Sequence, residues 1–231
     1  MTIIRVIDFE TTGVEPPQAE VCEVGICDLD LAQRTIGEPR TWMCGVKAMP
    51  PEVRAVHHIP LAECEGWDPF DSAAMFRDPC DAIAAHNAEF ELKFFNSPVP
   101  VICTYKAALR AWPDAPAHNN GALRYWLQDQ GLISPDHVKT QPAHRAGPDA
   151  YTTAHLLLAL FNAGHTGRQM AAWTKEPRLL PKCPIGKFRD KPWSEVEAGF
   201  LGWILRQPTM EADIKWNAER EIARRSEGAT A

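Results

Sequence analysis

The segment Thr2–Glu10 constrains the fold of this chain more than any other, because it is nearly continuous in isoleucine, valine and phenylalanine. A strand without polar alternation is buried on both faces, so its sheet needs a covering layer on each side. Further strands are predicted at Glu20–Asp28, Thr35–Val46, Ala82–Ala85 and Val99–Cys103, the first two forming an antiparallel meander with the N-terminal strand. Strands first, then strands alternating with helices, indicate an α/β domain with a mixed β-sheet.

Helical spacing of apolar residues occurs mainly around and after the later strands. Residues 134–148 are polar and contain three prolines, which predicts a loop. The helices predicted in the first part of the chain are Glu52–Val56, Ala88–Phe95, Thr104–Ala111, Gly121–Gln130 and Asp149–Ala163.

The composition changes near Glu176-Pro177. The tail then contains a predicted hairpin at Lys182–Asp190 and amphipathic helices at Ser194–Arg206 and Thr209–Arg225. We therefore expect a first domain, 1–174, followed by a small C-terminal α+β module, 175–231.

The formal net charge of −6 argues, as a sum, against a nucleic-acid partner. The charge is unevenly distributed, however, since residues 1–174 carry a net charge of −8 and residues 175–231 a net charge of +2. Within the tail, residues 175–191 alone carry a net charge of +4. The position of the charge is therefore more informative than its total.

The seven cysteines are scattered and form no C-x-x-C pair, which argues against a structural zinc site and indicates reduced thiols. The chain has no run of 18 apolar residues and its N-terminus lacks the pattern of a signal peptide. These features predict a cytoplasmic protein with no membrane partner.

Two carboxylates follow the apolar run of the first strand. Asp8 and Glu10 are two residues apart, so in a strand they lie on the same face. Ligands of α/β folds bind at the ends of strands, although a strand end also turns polar for no functional reason. The next residues, Thr11-Thr12-Gly13, form a turn that either presents backbone N–H groups to a phosphate or is ordinary turn chemistry.

Two later motifs place polar residues at the predicted starts of helices. In His86-Asn87-Ala88-Glu89-Phe90-Glu91, Asn87 and Glu91 share one helix face, or serve only as a helix cap and a solvated acid. In His144-Arg145-Ala146-Gly147-Pro148-Asp149-Ala150, Pro148 fits the first turn of a helix. This places Asp149 at the helix N-terminus and His144 in the preceding loop, where a histidine beside a carboxylate suits a general base, or an ordinary surface site.

Taken together and in this order, the three motifs resemble the DEDDh family of 3′–5′ exonucleases, over about residues 2–165. The resemblance implies a ribonuclease-H-like mixed β-sheet flanked by helices. It also implies a catalytic base at His144 and metal ligands at Asp8, Glu10, Glu91 and Asp149. One departure is that the second family motif normally ends in aspartate, and the longer Glu91 puts the strength of a second metal site in doubt.

Convergence of four carboxylates would require compensation, because two of them about 4 Å apart repel by roughly 4 kcal/mol at an effective dielectric constant near 20. Oxygen ligands favour Mg²⁺ or Mn²⁺, and we expect two such ions. By resemblance, the reaction removes 5′-mononucleotides from the 3′ ends of DNA, in repair or mismatch processing. The alternatives are trimming of RNA, and a nucleic-acid-binding module whose catalysis is weakened by Glu91.

The resemblance also implies residues that contact the nucleic acid. The turn residues Thr11, Thr12 and Gly13 would touch the terminal nucleotide, and Asn87 belongs to the second motif. His57 lies in V-H-H-I, which resembles a family loop that lies against substrate, or is an ordinary loop histidine. The tail resembles the C-terminal module of one DNA-degrading family member. Its basic residues, including Lys187 and Arg189, are predicted to contact the backbone of the nucleic acid, with a solvated face as the alternative.

Overall fold

The computed structural model of the protein describes residues 2–228, and contacts between residues divide the chain into two compact units. The first unit contains the residues up to Ala107 together with Ala115–Thr174. The second contains Ala108–Asp114 and the residues from Lys175 onward. The short segment Ala108–Asp114 thus packs with the tail, although in sequence it lies inside the predicted first domain.

The first unit is built on a mixed sheet in the order β3-β2-β1-β5-β6, with β4 also paired to β2. The central strand β1 is antiparallel to β2 and parallel to β5, which is in turn parallel to β6. The α/β class with a mixed sheet flanked by helices is therefore confirmed. The strands are β1 Ile3–Thr11, β2 Val21–Asp30, β3 Thr35–Ile36, β4 Arg40–Met43, β5 Ala82–Ala85 and β6 Val101–Cys103.

Both faces of β1 are covered, as its apolar sequence predicts. An apolar cluster that includes Ile7 and Phe9 packs on one face, where the ring of Phe9 contacts Phe95 at 5.9 Å between centroids. The helix α5 packs on the strands β1 and β2. The helices of this unit are α1 Pro51–His57, α2 Leu61–Cys64, α3 Thr104–Ala111, α4 Asn120–Asp129, α5 Ala146–Asn162 and α6 Gly167–Thr174, with the second unit beginning inside α3.

The first turn of α5 lies directly on β2. A Cβ atom added to Gly25 would lie 2.0 Å from the backbone carbonyl of Ala146, so only glycine permits this approach. On the helix side, a Cβ atom on Gly147 would lie 2.1 Å from the hydroxyl of Thr41. Two glycines in contacting elements therefore fix the height of the helix start above the sheet.

Several predicted elements differ from the structure. The strand predicted at Thr35–Val46 is two strands, because Pro39 between them lacks an N–H donor. The helix predicted at Ala88–Phe95 is instead a series of turns with a 3-10 helix at Glu91–Lys93, since most of its backbone hydrogen bonds span three residues rather than four. The helix predicted from Asp149 begins three residues earlier, at Ala146.

The second unit contains two helices around a small apolar core. These helices are α7 Ala198–Arg206 and α8 Ala212–Gly228, and they pack together through Leu201, Ile204 and Ile214. The predicted hairpin at Lys182–Asp190 reduces to a single β-bridge between Lys182 and Pro192, with a 3-10 helix at Gly186–Phe188. Among residues 2–228, no helix is long and apolar enough to cross a membrane.

Candidate active site

Three of the four predicted carboxylates meet at one end of the central strand. Asp8 and Glu10 extend from β1, and Asp149 lies in the first turns of α5. One carboxylate oxygen from each of the three lies within 4.8 Å of the others. The alternation of β1 explains this geometry, because Phe9 points into the apolar core while its two neighbours point toward α5.

Glu91, the fourth predicted ligand, lies beside this set rather than in it. Its side chain is only 3% exposed, and Oε2 is buried without a hydrogen-bond partner among the described residues. Burial, with a smaller effect from Glu10, raises the pKa of Glu91 to about 8. A buried carboxylate oxygen without a donor is costly, which makes this atom a candidate for contact with a cation.

The other three carboxyl groups are perturbed in the same direction. Burial, followed by repulsion from Asp149 and Glu10, raises the pKa of Asp8 well above its usual range. Burial and the charge of Asp149 raise the pKa of Glu10 to about 8, with Arg145 opposing this shift. Burial also raises the pKa of Asp149. The fold therefore concentrates negative charge that it does not itself neutralise, which is the condition for binding cations.

His144 lies at the exposed edge of the site. Its backbone has φ of 58°, in the left-handed region, and its side chain is exposed. The backbone N–H of His144 donates to Oδ2 of Asp149 at 3.0 Å, which ties the loop to the first turns of α5. The structure thus brings the predicted base next to the predicted ligand and leaves its ring free to approach a substrate.

The turn after β1 is held by its own hydrogen bonds. The hydroxyl of Thr11 donates to the carbonyl of Gly13 at 2.6 Å. The backbone N–H of Thr12 donates to the carbonyl of Glu20, and the hydroxyl of Thr12 accepts from the N–H of Glu20. Since both threonine side chains are buried, they shape the turn, and the Thr12 N–H is already engaged.

The remaining predicted contacts of the first unit are of two kinds. Asn87 is exposed and has φ of 73°, a conformation that asparagine tolerates better than most residues, so it starts the turns of its motif instead of capping a helix. His57 is buried, only 2% exposed, and its Nδ1 accepts from the N–H of Ile59. His57 is thus held in the interior of the first unit, and its predicted contact with substrate stays a prediction.

Comparison with known proteins places this arrangement in a family. The Exonuclease family model (RNase_T) matches residues 6–157, which include all three motifs. The chain is 30% identical over 209 residues to Exodeoxyribonuclease 10 of Escherichia coli strain K12, covering 88% of this chain and 90% of that protein. The chain belongs to the Exonuclease family. Members of this family generally use divalent metal ions, with which the acidic cluster is compatible.

Solved structures agree with the exonuclease fold. The chain superposes on Exonuclease X in complex with 5′ overhanging duplex DNA with a TM-score of 0.63 and 28% identity, over 74% of this chain and 99% of that chain. A zinc-bound E. coli ExoI–ssDNA complex gives a TM-score of 0.52 at 16% identity, over 70% of this chain and 42% of that chain, a likeness of fold alone. Residues 1–174 make up about three quarters of the present chain. Since the alignment to Exodeoxyribonuclease 10 covers 88% of this chain, it includes part of the tail.

Sequence reasoning missed a buried ion pair that supports the exonuclease site. Glu23 pairs with Glu10 in the β1–β2 register, and its carboxylate is 1% exposed. It accepts hydrogen bonds from Nε and Nη2 of Arg145, and also from the backbone N–H of Ala146 at 2.9 Å. The carboxylate therefore holds the start of α5, between His144 and Asp149. Its signal in the sequence was a glutamate with apolar residues on both sides, inside β2.

His86 is a second residue whose role was not predicted. Its Nδ1 lies 3.0 Å from the hydroxyl of Thr104, and its Nε2 lies 2.8 Å from the carbonyl of His118. Burial lowers the pKa of His86 to about 4, so the ring is neutral at physiological pH. Its two contacts fix the strand end from which the turns toward Glu91 begin.

Proposed function

We propose that the protein is a metal-dependent 3′–5′ exodeoxyribonuclease that releases 5′-mononucleotides. The observation that carries this proposal is the meeting of Asp8, Glu10 and Asp149 within 4.8 Å, in a chain that belongs to the Exonuclease family. The 30% identity to Exodeoxyribonuclease 10 and the likeness to Exonuclease X bound to DNA support DNA over RNA as the substrate. DNA repair or mismatch processing is the role we propose for the activity.

The residues of the site fit two divalent cations, Mg²⁺ or Mn²⁺. The donors are all carboxylate oxygens, the raised pKa values of Glu10 and Glu91 report uncompensated charge, and one oxygen of Glu91 is buried without a partner. Asp8, Glu10 and Asp149 would hold one ion, with Asp8 shared and Glu91 supporting the other. When bound, the ions supply positive charge that stabilises the attacking and leaving oxygens of a phosphodiester displacement.

The chain itself supplies the proton transfer. His144 accepts a proton from the attacking water, the part of a general base positioned beside the metal ligands. Its exposure allows the ring to approach the water once DNA is bound, while its backbone bond to Asp149 keeps the loop beside the ligands. We expect Glu10 and the turn at Thr11–Gly13 to contact the terminal nucleotide, and Asn87, which is exposed at the start of the neighbouring turns, to contact the nucleic acid as well.

The second unit carries the proposed contacts with the DNA backbone. Lys187 and Arg189 are exposed, and residues 175–191 have a net charge of +4. Basic side chains at such a density attract phosphates in a salt-dependent manner.

A cytoplasmic location is also proposed, because seven free cysteines suit a reducing compartment.

Degradation of matched DNA and RNA oligomers, each labelled at the 3′ end or the 5′ end, tests this proposal. With Mg²⁺ or Mn²⁺ we expect immediate release of labelled mononucleotide from 3′-labelled DNA, a descending ladder from 5′-labelled DNA, and no reaction in EDTA. Faster trimming of RNA would favour the exoribonuclease alternative. Binding of DNA without turnover would favour the alternative of a binding module weakened at Glu91.

A further inference from the structure

A row of three aromatic rings leads from the core of the second unit to its surface. The ring of Phe188 lies 5.1 Å from that of Phe200, and the ring of Phe200 is stacked on that of Trp203 at 5.2 Å with an interplanar angle of 22°. Phe188 and Phe200 pack against the apolar core, whereas Trp203 is 42% exposed. Phe200 therefore supports one face of the indole, and the row ends in an exposed tryptophan.

The local sequence is suited to holding this row in place. Gly186 has φ of 60°, and a Cβ atom at this position would lie 2.8 Å from the ring of Phe200. The turn Gly186–Phe188 can therefore lie against Phe200 only with glycine at its first position. On α7, Gly202 leaves room for the guanidinium of Arg206, which would approach a Cβ atom there to 3.3 Å.

Basic residues accompany these rings in the structure or in the sequence. Nζ of Lys187 lies 4.9 Å from the centroid of Phe188 and forms an ion pair with Glu197 at 2.9 Å. Arg189 follows Phe188 directly, Arg206 lies one helical turn after Trp203, and both are exposed. Within residues 2–228, neither arginine forms an ion pair. A partner with negative charge and flat rings would complement this surface.

We propose that Trp203, backed by Phe200 and followed one helical turn later on α7 by Arg206, is a stacking site for a base of single-stranded DNA. The proposal rests on the proposed function and deepens it, since it names the strand form that the second unit holds. Single-strand-binding surfaces combine aromatic rings, on which bases stack, with cations that follow the backbone. Stacking on one ring is independent of base identity, so the site would suit an enzyme that removes nucleotides of any sequence.

Binding of a fluorescein-labelled (dT)20 strand to full-length variants tests this site. All proteins carry His144→Ala and contain Mg²⁺, so that the strand is retained, and binding is followed by fluorescence anisotropy. Trp203→Ala is expected to raise the Kd about 5- to 150-fold, the range for loss of one stacked base. Trp203→Phe, which keeps a ring, is expected to retain most of the affinity. Trp67→Ala removes another exposed tryptophan, in the first unit, and is expected to stay within about twofold of the parent.

The salt dependence separates stacking from charge. Arg206→Ala is expected to reduce the slope of log Kd against log salt by roughly 0.7, the value for one phosphate contact on a single strand. Trp203→Ala is expected to leave that slope unchanged. Equal affinities of the Trp203→Ala protein and its parent, or equal losses in Trp203→Ala and Trp67→Ala, would overturn the proposal.

Hydrolysis of the p-nitrophenyl ester of thymidine 5′-phosphate distinguishes this inference from the proposed function. The substrate is a single nucleotide with no further base to stack, so Trp203→Ala with His144 intact is expected to hydrolyse it within about twofold of the wild-type rate. Absence of hydrolysis by the wild-type protein would count against the nuclease activity, while the anisotropy series would still decide the stacking site.

Discussion

Replacing Glu91 by glutamine is expected to change how the stability of the metal-free protein depends on pH. In the folded state the pKa values of Glu10 and Glu91 are raised from 4.5 to about 8, chiefly by burial. Between pH 4.5 and about pH 8, these two carboxyl groups keep their protons in the folded protein and have released them in the unfolded chain. Their contribution to the free energy of unfolding is therefore fully present below pH 4.5 and is lost as the pH rises through 8.

The size of the effect follows from the number of protons. Each proton changes the free energy of unfolding by about 1.4 kcal/mol per pH unit. Allowing for partial ionisation near pH 8, the two glutamates together lower it by about 2 kcal/mol between pH 7 and pH 8. For a protein of this size, that corresponds to a decrease in Tm of roughly 4–8 °C.

Measurements above pH 7 avoid the opposite pH dependence of stability that buried histidines produce at lower pH. Burial lowers the pKa values of His86 and His155 to about 4, so their effect increases stability with rising pH only up to about 6.5. Thermal denaturation in EDTA at pH 7, 7.5 and 8 therefore reports mainly on the carboxyl groups. Glu91→Gln should reduce the slope of Tm against pH, because one of the retained protons is then absent. Glu52→Gln, at an exposed position on α1, is the matched control and should leave the slope unchanged.

The result that would refute this reasoning is a Tm that is constant or rises between pH 7 and pH 8 in the wild-type protein. An equal slope in wild type and Glu91→Gln would also refute it, because the buried carboxyl would then carry no excess proton. Addition of Mg²⁺ should reduce the slope in the wild-type protein, since bound cations take the place of protons on the carboxylates.

Three further substitutions test the supports of the site. Glu23→Ala should reduce exonuclease activity about 10- to 100-fold and weaken metal binding, because the start of α5 loses its buried acceptor, and calorimetric titration with Mn²⁺ together with kcat measures both. Gly25→Ala should lower the free energy of unfolding in urea by about 3 kcal/mol or more, since the new Cβ atom would overlap the backbone of Ala146, and a loss below about 1 kcal/mol would contradict this contact. Glu91→Asp, which restores the usual family acid, should bind the second Mn²⁺ ion more tightly. An unchanged affinity in the calorimetric Mn²⁺ titration would mean that glutamate binds this ion as well as aspartate does.

The parts of the site that were predictable are those fixed by local spacing. Alternation along β1 is enough to place Asp8 and Glu10 on one face, and Pro148 marks the start of the helix that carries Asp149. The position of each of these residues could be predicted from the periodicity of a single strand or helix. Their convergence then follows from the motif order that resembles the family, and the geometry of the three carboxylates agrees with it.

The parts that were not predictable depend on contacts between distant segments. The role of Glu23 arises from its register opposite Glu10 and from an ion pair 122 residues away in sequence. Asn87 adopts a left-handed conformation that favours turns over the predicted helix, and apolar spacing does not report this. The assignment of Ala108–Asp114 to the second unit likewise depends on tertiary packing rather than on composition.

Release of the 3′-terminal nucleotide from labelled single-stranded DNA in Mg²⁺, by three proteins, tests the central claim most directly. Wild type should release 5′-mononucleotide, whereas Asp8→Asn should fail because the proposed shared metal ligand is lost. His144→Ala should lose at least about 100-fold in rate, as expected for removal of a general base, while binding Mn²⁺ as wild type does. Undiminished release by His144→Ala or by Asp8→Asn, or release by wild type in EDTA, would contradict the account.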